Sequence, residues 1–114
     1  MDMTPTATRW PGHLAAIDMG SNSFRLEIGQ VVQGRYRRID YLKETVRLGA
    51  GLDANGLLTE EATARGLACL ARFAQRLKGY VPGQVRAVAT QTLREARNRD
   101  AFLVRAEAAL GHPV

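Results

Sequence analysis

The sequence has few of the features that mark several large classes of protein. Cys69 is the single cysteine among 114 residues, so no disulfide can form within the chain. No apolar run approaches the roughly 20 residues that a membrane-spanning helix requires. Residues 1–12 contain no apolar core of a secretory signal. These absences predict a cytoplasmic protein without a membrane span, and the apolar surroundings of Cys69 predict a buried, unreactive thiol.

Aromatic residues and lysine are also scarce. Aromatic residues make up 6% of the chain, and no recognised nucleic-acid-binding motif is present. We therefore do not expect nucleic acid to be a partner, although arginines cluster at residues 35–38 and 94–105. The 16 basic residues exceed the 11 acidic ones and give a net charge of +5. This excess, nearly all of it arginine, favours polyanionic partners, because a guanidinium can pair with phosphate through two parallel hydrogen bonds.

The size and composition of the chain are those of one globular domain. Hydrophobic residues account for 46% and charged residues for 24% of the sequence, and the two kinds are interleaved throughout. We interpret residues 1–12 as a flexible leader and residues 13–114 as the folded part.

A short apolar run, a segment of period-two alternation and a β-rich segment predict three consecutive strands in the first part of the chain. They cover residues 14–18, residues 24–32 and residues 36–46, and Gln33 and Gly34 form the turn between the second and the third. This order predicts an antiparallel meander.

The rest of the chain combines segments of helical spacing with one further strand. Thr59 is a suitable N-cap for a long helix that ends near Gly79. A short strand at residues 84–90 should lie parallel to the first strand, because a helix connects it to the sheet. A helical turn at residues 92–97 follows, and Asn98 could cap a last helix. The order βββαβα predicts an α/β fold with a mixed sheet, and a chain that ends in a helix suggests an incomplete domain.

Residues 15–26 carry the pattern that is most suggestive of chemistry. The first strand ends in Asp18, which could hold a divalent metal, and Gly20 lets the backbone approach a ligand closely. Three polar side chains that could donate to phosphate oxygens follow, namely Ser21, Asn22 and Ser23. A plain β-hairpin turn uses the same residue types. The spacing alone leaves both interpretations open.

Two arginines could add positive charge to such a site. Arg25 follows the loop on the second strand, and Arg94 follows the end of the strand at residues 84–90, where α/β folds place ligands. An exposed strand arginine and a solvated helix arginine explain the same residues without any function.

The segment Ala-Ile-Asp-Met-Gly-Ser-Asn-Ser-Phe-Arg-Leu at residues 16–26 resembles the opening phosphate loop of the exopolyphosphatase and guanosine pentaphosphate phosphatase family. The pattern continues through residues 59–70 and residues 89–102, so that the resemblance covers most of the chain. It implies the first part of a ribonuclease H-like, actin-like ATPase domain. Sugar and acetate kinases share this fold, but the loop and the surroundings of Arg94 resemble the phosphatases more.

The resemblance also implies an activity and the residues that serve it. Family members hydrolyse terminal phosphoanhydride bonds of inorganic polyphosphate or guanosine pentaphosphate with Mg²⁺. By position, Asp18 would bind the metal, residues 20–23 and Arg25 would bind phosphate, and Arg94 would face the polyphosphate. The family's water-activating glutamate and second phosphate loop have no counterpart here, so no catalytic residue is assigned and this chain alone is expected to be inactive.

The sequence leaves the oligomeric state, the presence of activity and the substrate open. The full-length protein is expected to form a homodimer. A module that binds polyanions without chemistry is the alternative to an enzyme. The sequence does not distinguish polyphosphate from guanosine pentaphosphate.

Overall fold

A computed structural model describes residues 8–114 of the chain, with the backbone alone at Gln91. Two 3₁₀ turns, Leu48–Gly51 and Pro82–Gln84, accompany the regular elements. The strands are β1 (His13–Met19), β2 (Ser23–Val32), β3 (Arg35–Thr45) and β4 (Val85–Ala89), and the helices are α1 (Glu60–Arg76), α2 (Gln91–Glu95) and α3 (Arg99–Leu110). The predicted elements are all present, and the helical turn expected after β4 is the short helix α2.

The four strands form one mixed sheet in the order β3-β2-β1-β4. Strand β1 is antiparallel to β2 and parallel to β4, as the crossover through α1 predicts. The expected α/β fold with a mixed sheet is therefore confirmed. Because β1 and β4 are parallel, their carboxyl ends meet at one edge of the sheet, where the loops that follow them can come together.

The hairpin between β2 and β3 has the predicted turn. Gln33 and Gly34 both have positive φ angles, of 51° and 76°, which is the backbone of the turn type that suits the twist of paired strands. The pairing of β2 with β3 is irregular between Ile28 and Gly29. The ring of Tyr36 packs so closely on Gly29 that a Cβ atom there would overlap it.

Helix α1 begins as its sequence predicts. The Thr59 hydroxyl accepts a hydrogen bond from the Ala62 N–H at 3.2 Å, and Glu60 and Glu61 occupy the positively polarised first turn. Its apolar stripe packs on one face of the sheet and against α3. The buried core includes Ile17, Phe24, Leu26, Leu70, Phe73 and Phe102.

The two faces of the sheet have different surroundings. Alternate residues of β1 and β2 that face α1 are buried, whereas those that face away are more exposed. On this open face Leu14 and Val88 are each about half exposed, at 48% and 49%. Asp18, Arg25 and Glu27 lie on the same open face.

The amino-terminal end of the described chain is attached to the rest of the fold. Residues 8–10 hydrogen-bond to the turn that follows α1: the Arg9 N–H donates to the Gly79 carbonyl at 3.0 Å and the Trp10 indole N–H donates to the Lys78 carbonyl at 2.8 Å. Residues 1–7 of the predicted leader lie outside the described residues, so the division at residue 12 stays a prediction. No helix within residues 8–114 is long and apolar enough to cross a membrane.

Candidate phosphate-binding site

The turn after β1 is tight and depends on Gly20. The Gly20 N–H donates to the Ser23 carbonyl oxygen at 3.0 Å, which closes residues 20–23 into a turn. A Cβ atom on Gly20 would lie 2.7 Å from that oxygen, closer than Cβ contacts allow. The close approach at Gly20 is thus to an atom of the turn itself, and the predicted approach of its backbone to a ligand stays a prediction.

The segment after β3 fixes the turn from a second side. The N–H groups of Val46 and Arg47 both donate to the Asn22 carbonyl oxygen, at 2.9 and 2.8 Å, and the Gly49 N–H donates to the Ser21 carbonyl oxygen at 2.8 Å. Arg47 has a positive φ angle of 54°, which directs these donors towards the turn. The carbonyl oxygens of Ser21 and Asn22 thus point into the protein, while the side chains of both residues are exposed.

The start of α2 fixes the turn from a third side. The N–H and the hydroxyl of Thr90 both donate to the Met19 carbonyl oxygen, at 3.1 and 3.0 Å, at the end of β1. Two residues further along, the Thr92 hydroxyl donates a hydrogen bond to the Ser21 hydroxyl at 2.5 Å. The end of β4 is thereby joined to the turn after β1, as expected for neighbouring parallel strands.

Two polar atoms at the turn are buried without a hydrogen-bond partner among residues 8–114. They are Oδ1 of Asp18 and Oγ of Ser23. Buried polar atoms are nearly always hydrogen-bonded, and an unpaired one costs about 1–3 kcal/mol. Ser23 is only 7% exposed. Two such atoms at one turn indicate that a ligand, an ion or water supplies the missing partners.

Arg25 lies beside Asp18 in the sheet. The two residues are paired in the register of β1 with β2, and their side chains share the open face. They border an open cavity of about 440 Å³, and its charged residues are Asp18, Arg25, Glu27 and Arg86. The structure therefore brings the predicted metal-binding carboxylate and a predicted phosphate-binding arginine together.

Arg94 lies on α2, two residues after Thr92. Its side chain is exposed, and its carbonyl oxygen accepts a hydrogen bond from the Arg99 guanidinium at 2.6 Å. The predicted position at a junction between a strand and a helix is as described, since α2 follows β4 directly. The predicted role of Arg94 towards polyphosphate stays a prediction.

Several residues that shape the turn were not recognised from the sequence. Arg47 and Gly49 lie between the third predicted strand and the first predicted helix, and Thr92 was predicted only as part of a helical turn. Arg65 of α1 also contributes, because its guanidinium donates to the carbonyl oxygens of Val46 and Arg47 at 2.9 and 3.3 Å. The glycines at 49 and 51 were the available signal, since glycine after a strand often marks close backbone approach.

Comparisons with known proteins identify the family of this chain. The model of the Ppx/GppA phosphatase family matches residues 28–114. A relative from Haemophilus influenzae, provisionally named exopolyphosphatase, is 45% identical over 101 residues, which are 89% of this chain and 31% of the relative. A guanosine-5'-triphosphate,3'-diphosphate pyrophosphatase from Pseudoalteromonas atlantica is 46% identical over 112 residues, with 94% of this chain and 22% of the relative covered. The chain thus spans less than a third of each of these two relatives.

Solved structures of similar proteins have the same fold over the same part. An exopolyphosphatase from Cytophaga hutchinsonii aligns with 90% of this chain and 33% of its own at a TM-score of 0.82 and 31% identity. A Ppx/GppA family member from Aquifex aeolicus aligns with 90% of this chain and 34% of its own at a TM-score of 0.80 and 30% identity. The fold is therefore that of the actin-like ATPase-type domain in these enzymes, and the chain belongs to the Ppx/GppA phosphatase family.

Proposed function

We propose that this chain supplies the first phosphate-binding loop of an enzyme that hydrolyses terminal phosphoanhydride bonds of inorganic polyphosphate or guanosine pentaphosphate. The observation that carries the proposal is the pair of buried atoms Asp18 Oδ1 and Ser23 Oγ, which have no partner within residues 8–114 and lie where the carboxyl ends of two parallel strands meet. Ligands in α/β folds bind at such edges. The names of the two curated relatives support the substrate class.

The residues at the turn have distinct tasks in this proposal. The exposed side chains of Ser21 and Asn22 donate hydrogen bonds to phosphate oxygens. The buried Ser23 hydroxyl donates to the same phosphate from the protein side of the loop. Arg25 and Arg94 supply positive charge that attracts and orients the anionic substrate. Because the segment after β3 and the start of α2 hold the turn, these donors are positioned before the substrate arrives.

The donor set at Asp18 fits Mg²⁺. Among residues 8–114 no group of three or more His, Cys, Asp or Glu residues could hold a metal ion alone. Mg²⁺ usually keeps several waters and binds through one or two carboxylates together with substrate phosphates, so the single carboxylate of Asp18 is sufficient. When bound there, Mg²⁺ would neutralise charge on the phosphoryl oxygens.

No catalytic base is assigned within this chain. Glu95 and Glu107 lie at exposed positions of α2 and α3. We therefore propose that activation of the attacking water requires residues outside these 114 positions, and that this chain alone is inactive. A cytoplasmic location and a homodimer of the full-length protein also remain proposals.

The first experiment measures phosphate release from long-chain polyphosphate and from guanosine pentaphosphate in the presence of Mg²⁺. It compares this 114-residue chain with a version extended through the natural sequence that follows Val114. Release by the longer chain alone is the expected result. Release by neither would contradict the proposed hydrolysis, and binding without release would favour a polyanion-binding module.

A second experiment assigns the metal site. Calorimetric titration of the 114-residue chain with tripolyphosphate is expected to show tighter binding with Mg²⁺ than without it. The Asp18→Asn variant should lose this dependence on Mg²⁺. The matched control is Asp100→Asn, because Asp100 is an exposed aspartate in the first turn of α3. Retention of the Mg²⁺ dependence by Asp18→Asn would refute the assignment.

A further inference from the structure

Thr92 contacts the proposed phosphate loop from inside the protein. Its side chain is buried, with 7% of the residue exposed, and its hydroxyl lies 2.5 Å from the hydroxyl of Ser21, an exposed residue. Seventy-one positions separate the two residues in the sequence. The contact therefore depends on the parallel pairing of β1 and β4, which brings the start of α2 to the turn.

Thr92 is itself held firmly in place. Both hydrogen bonds of Thr90 to the Met19 carbonyl oxygen attach the start of α2 to the end of β1. Gly49 completes the enclosure: a Cβ atom there would lie 3.3 Å from both the Thr92 hydroxyl and the Ser21 carbonyl oxygen. The absence of a side chain at position 49 lets the three segments approach one another.

A hydrogen bond between two hydroxyls uses the proton of only one of them. When Thr92 donates, Ser21 accepts and keeps its own proton for another acceptor. Ionised phosphate oxygens only accept, so a bound phosphate favours this direction of the bond over the reverse. The buried threonine thus fixes the rotamer of Ser21 and presents its hydroxyl as a donor.

We propose that Thr92 is a positioning residue that orients the Ser21 hydroxyl as a hydrogen-bond donor to a bound phosphoryl group. The inference rests on the proposed function, because it assumes that Ser21 contacts phosphate. It assigns to Thr92 an action through Ser21 and no direct contact with the substrate.

The test is a set of tripolyphosphate titrations of the 114-residue chain with Mg²⁺. Thr92→Val keeps the shape of the side chain and removes its hydroxyl, and we expect affinity to fall about tenfold, the effect of one well-placed hydrogen bond. Thr92→Ser restores the hydroxyl and should bind within about twofold of wild type. The matched control is Thr63→Val in α1, where a threonine with 4% exposure is changed in the same way.

A double-mutant cycle separates positioning from general structural damage. If Thr92 acts through Ser21, the double variant Ser21→Ala, Thr92→Val should bind no more weakly than Ser21→Ala alone. Additive losses would overturn the proposal. Should Thr92→Val fail to fold, solvent exchange of the Thr92 hydroxyl proton is measured by NMR in wild type and in Ser21→Ala. We expect this proton to be protected from exchange in wild type and unprotected in Ser21→Ala. Equal exchange in both chains overturns the proposal.

The outcomes also separate this inference from the proposed function. A wild-type chain that does not bind tripolyphosphate overturns the proposed function and this inference with it. A wild-type chain that binds, together with a Thr92→Val variant of equal affinity, overturns this inference alone.

Discussion

The side-chain amide of Asn98 forms two hydrogen bonds with the backbone of Leu58. Its Nδ2 donates to the Leu58 carbonyl oxygen at 3.1 Å, and its Oδ1 accepts from the Leu58 N–H at 2.8 Å. Asn98 occupies the N-cap position of α3, but its side chain makes no capping hydrogen bond there. Asn98 is therefore at the predicted N-cap position, but its side chain binds the Leu58 backbone and not the N–H groups of α3. The amide instead joins the start of α3 to the segment that leads into α1.

Replacement of Asn98 by Ala should destabilise the fold. Leu58 is buried, so the change leaves its backbone N–H and carbonyl without partners. We expect the free energy of unfolding to fall by about 2–4 kcal/mol, measured by urea denaturation. Asn55→Ala is the control, because Asn55 is exposed and its recorded hydrogen bonds use the backbone. Equal unfolding midpoints for the two variants would contradict this prediction.

Replacement of Gly20 by Ala should disrupt the phosphate loop. The new Cβ atom would press on the Ser23 carbonyl oxygen and break the hydrogen bond that closes the turn. We expect binding of tripolyphosphate to weaken at least about tenfold, because the loop donors lose their relative positions. Gly83→Ala is the control, since among the residues that the structure describes, its two chain neighbours aside, no atom lies within 4 Å of a Cβ atom there. Unchanged affinity of Gly20→Ala for tripolyphosphate would show that binding does not need the turn closed by the hydrogen bond between Gly20 and Ser23.

The thiol of Cys69 should be unreactive in the folded protein. Burial, with a smaller contribution from the neighbouring Glu44 carboxylate, raises its pKa from 9.0 to about 12. At pH 8 the thiolate fraction is then roughly a thousand times smaller than that of a free cysteine. Ellman's reagent should react slowly with the native chain and rapidly in 6 M urea (about the range that unfolds small domains).

The pH dependence of that reaction distinguishes a raised pKa from simple exclusion of the reagent. Because Cys69 is the only cysteine, the signal needs no assignment. The native rate should rise continuously from about pH 7 to about pH 10, since the thiolate fraction grows tenfold per pH unit below the pKa. A plateau of the rate near pH 9 would contradict the raised pKa.

The local elements were predictable because their signals are local. The hydroxyl of Thr59 and the acids at positions 60 and 61 begin α1, and the spacing of its apolar residues determines which side packs on the sheet. The turn residues Gln33 and Gly34 likewise determine the hairpin of β2 and β3. Such signals act over a few residues, where backbone geometry and side-chain chemistry are nearly independent of the rest of the chain.

The candidate site was predictable only in part. The glycine and the polar residues that follow Asp18 indicated a ligand loop, and the structure places Asp18 beside Arg25. Nothing in the spacing indicated that Arg65 supports the segment after β3, or that this segment supports Asn22. These contacts join residues 18 to 25 positions apart, and no local pattern specifies which partner a backbone carbonyl will find.

The amino-acid sequence by itself determined the strand and helix order, the ends of the hairpin, the capped start of α1 and the residue types of the loop at Gly20. Only the tertiary structure decided that Thr92 meets Ser21, that Asn98 binds Leu58, and that Asp18 and Ser23 each keep one buried atom without a partner in the described part of the chain. The physical reason is the range of the interactions. Periodicity and capping depend on neighbours in sequence, whereas partners across the sheet depend on how strands and helices pack together.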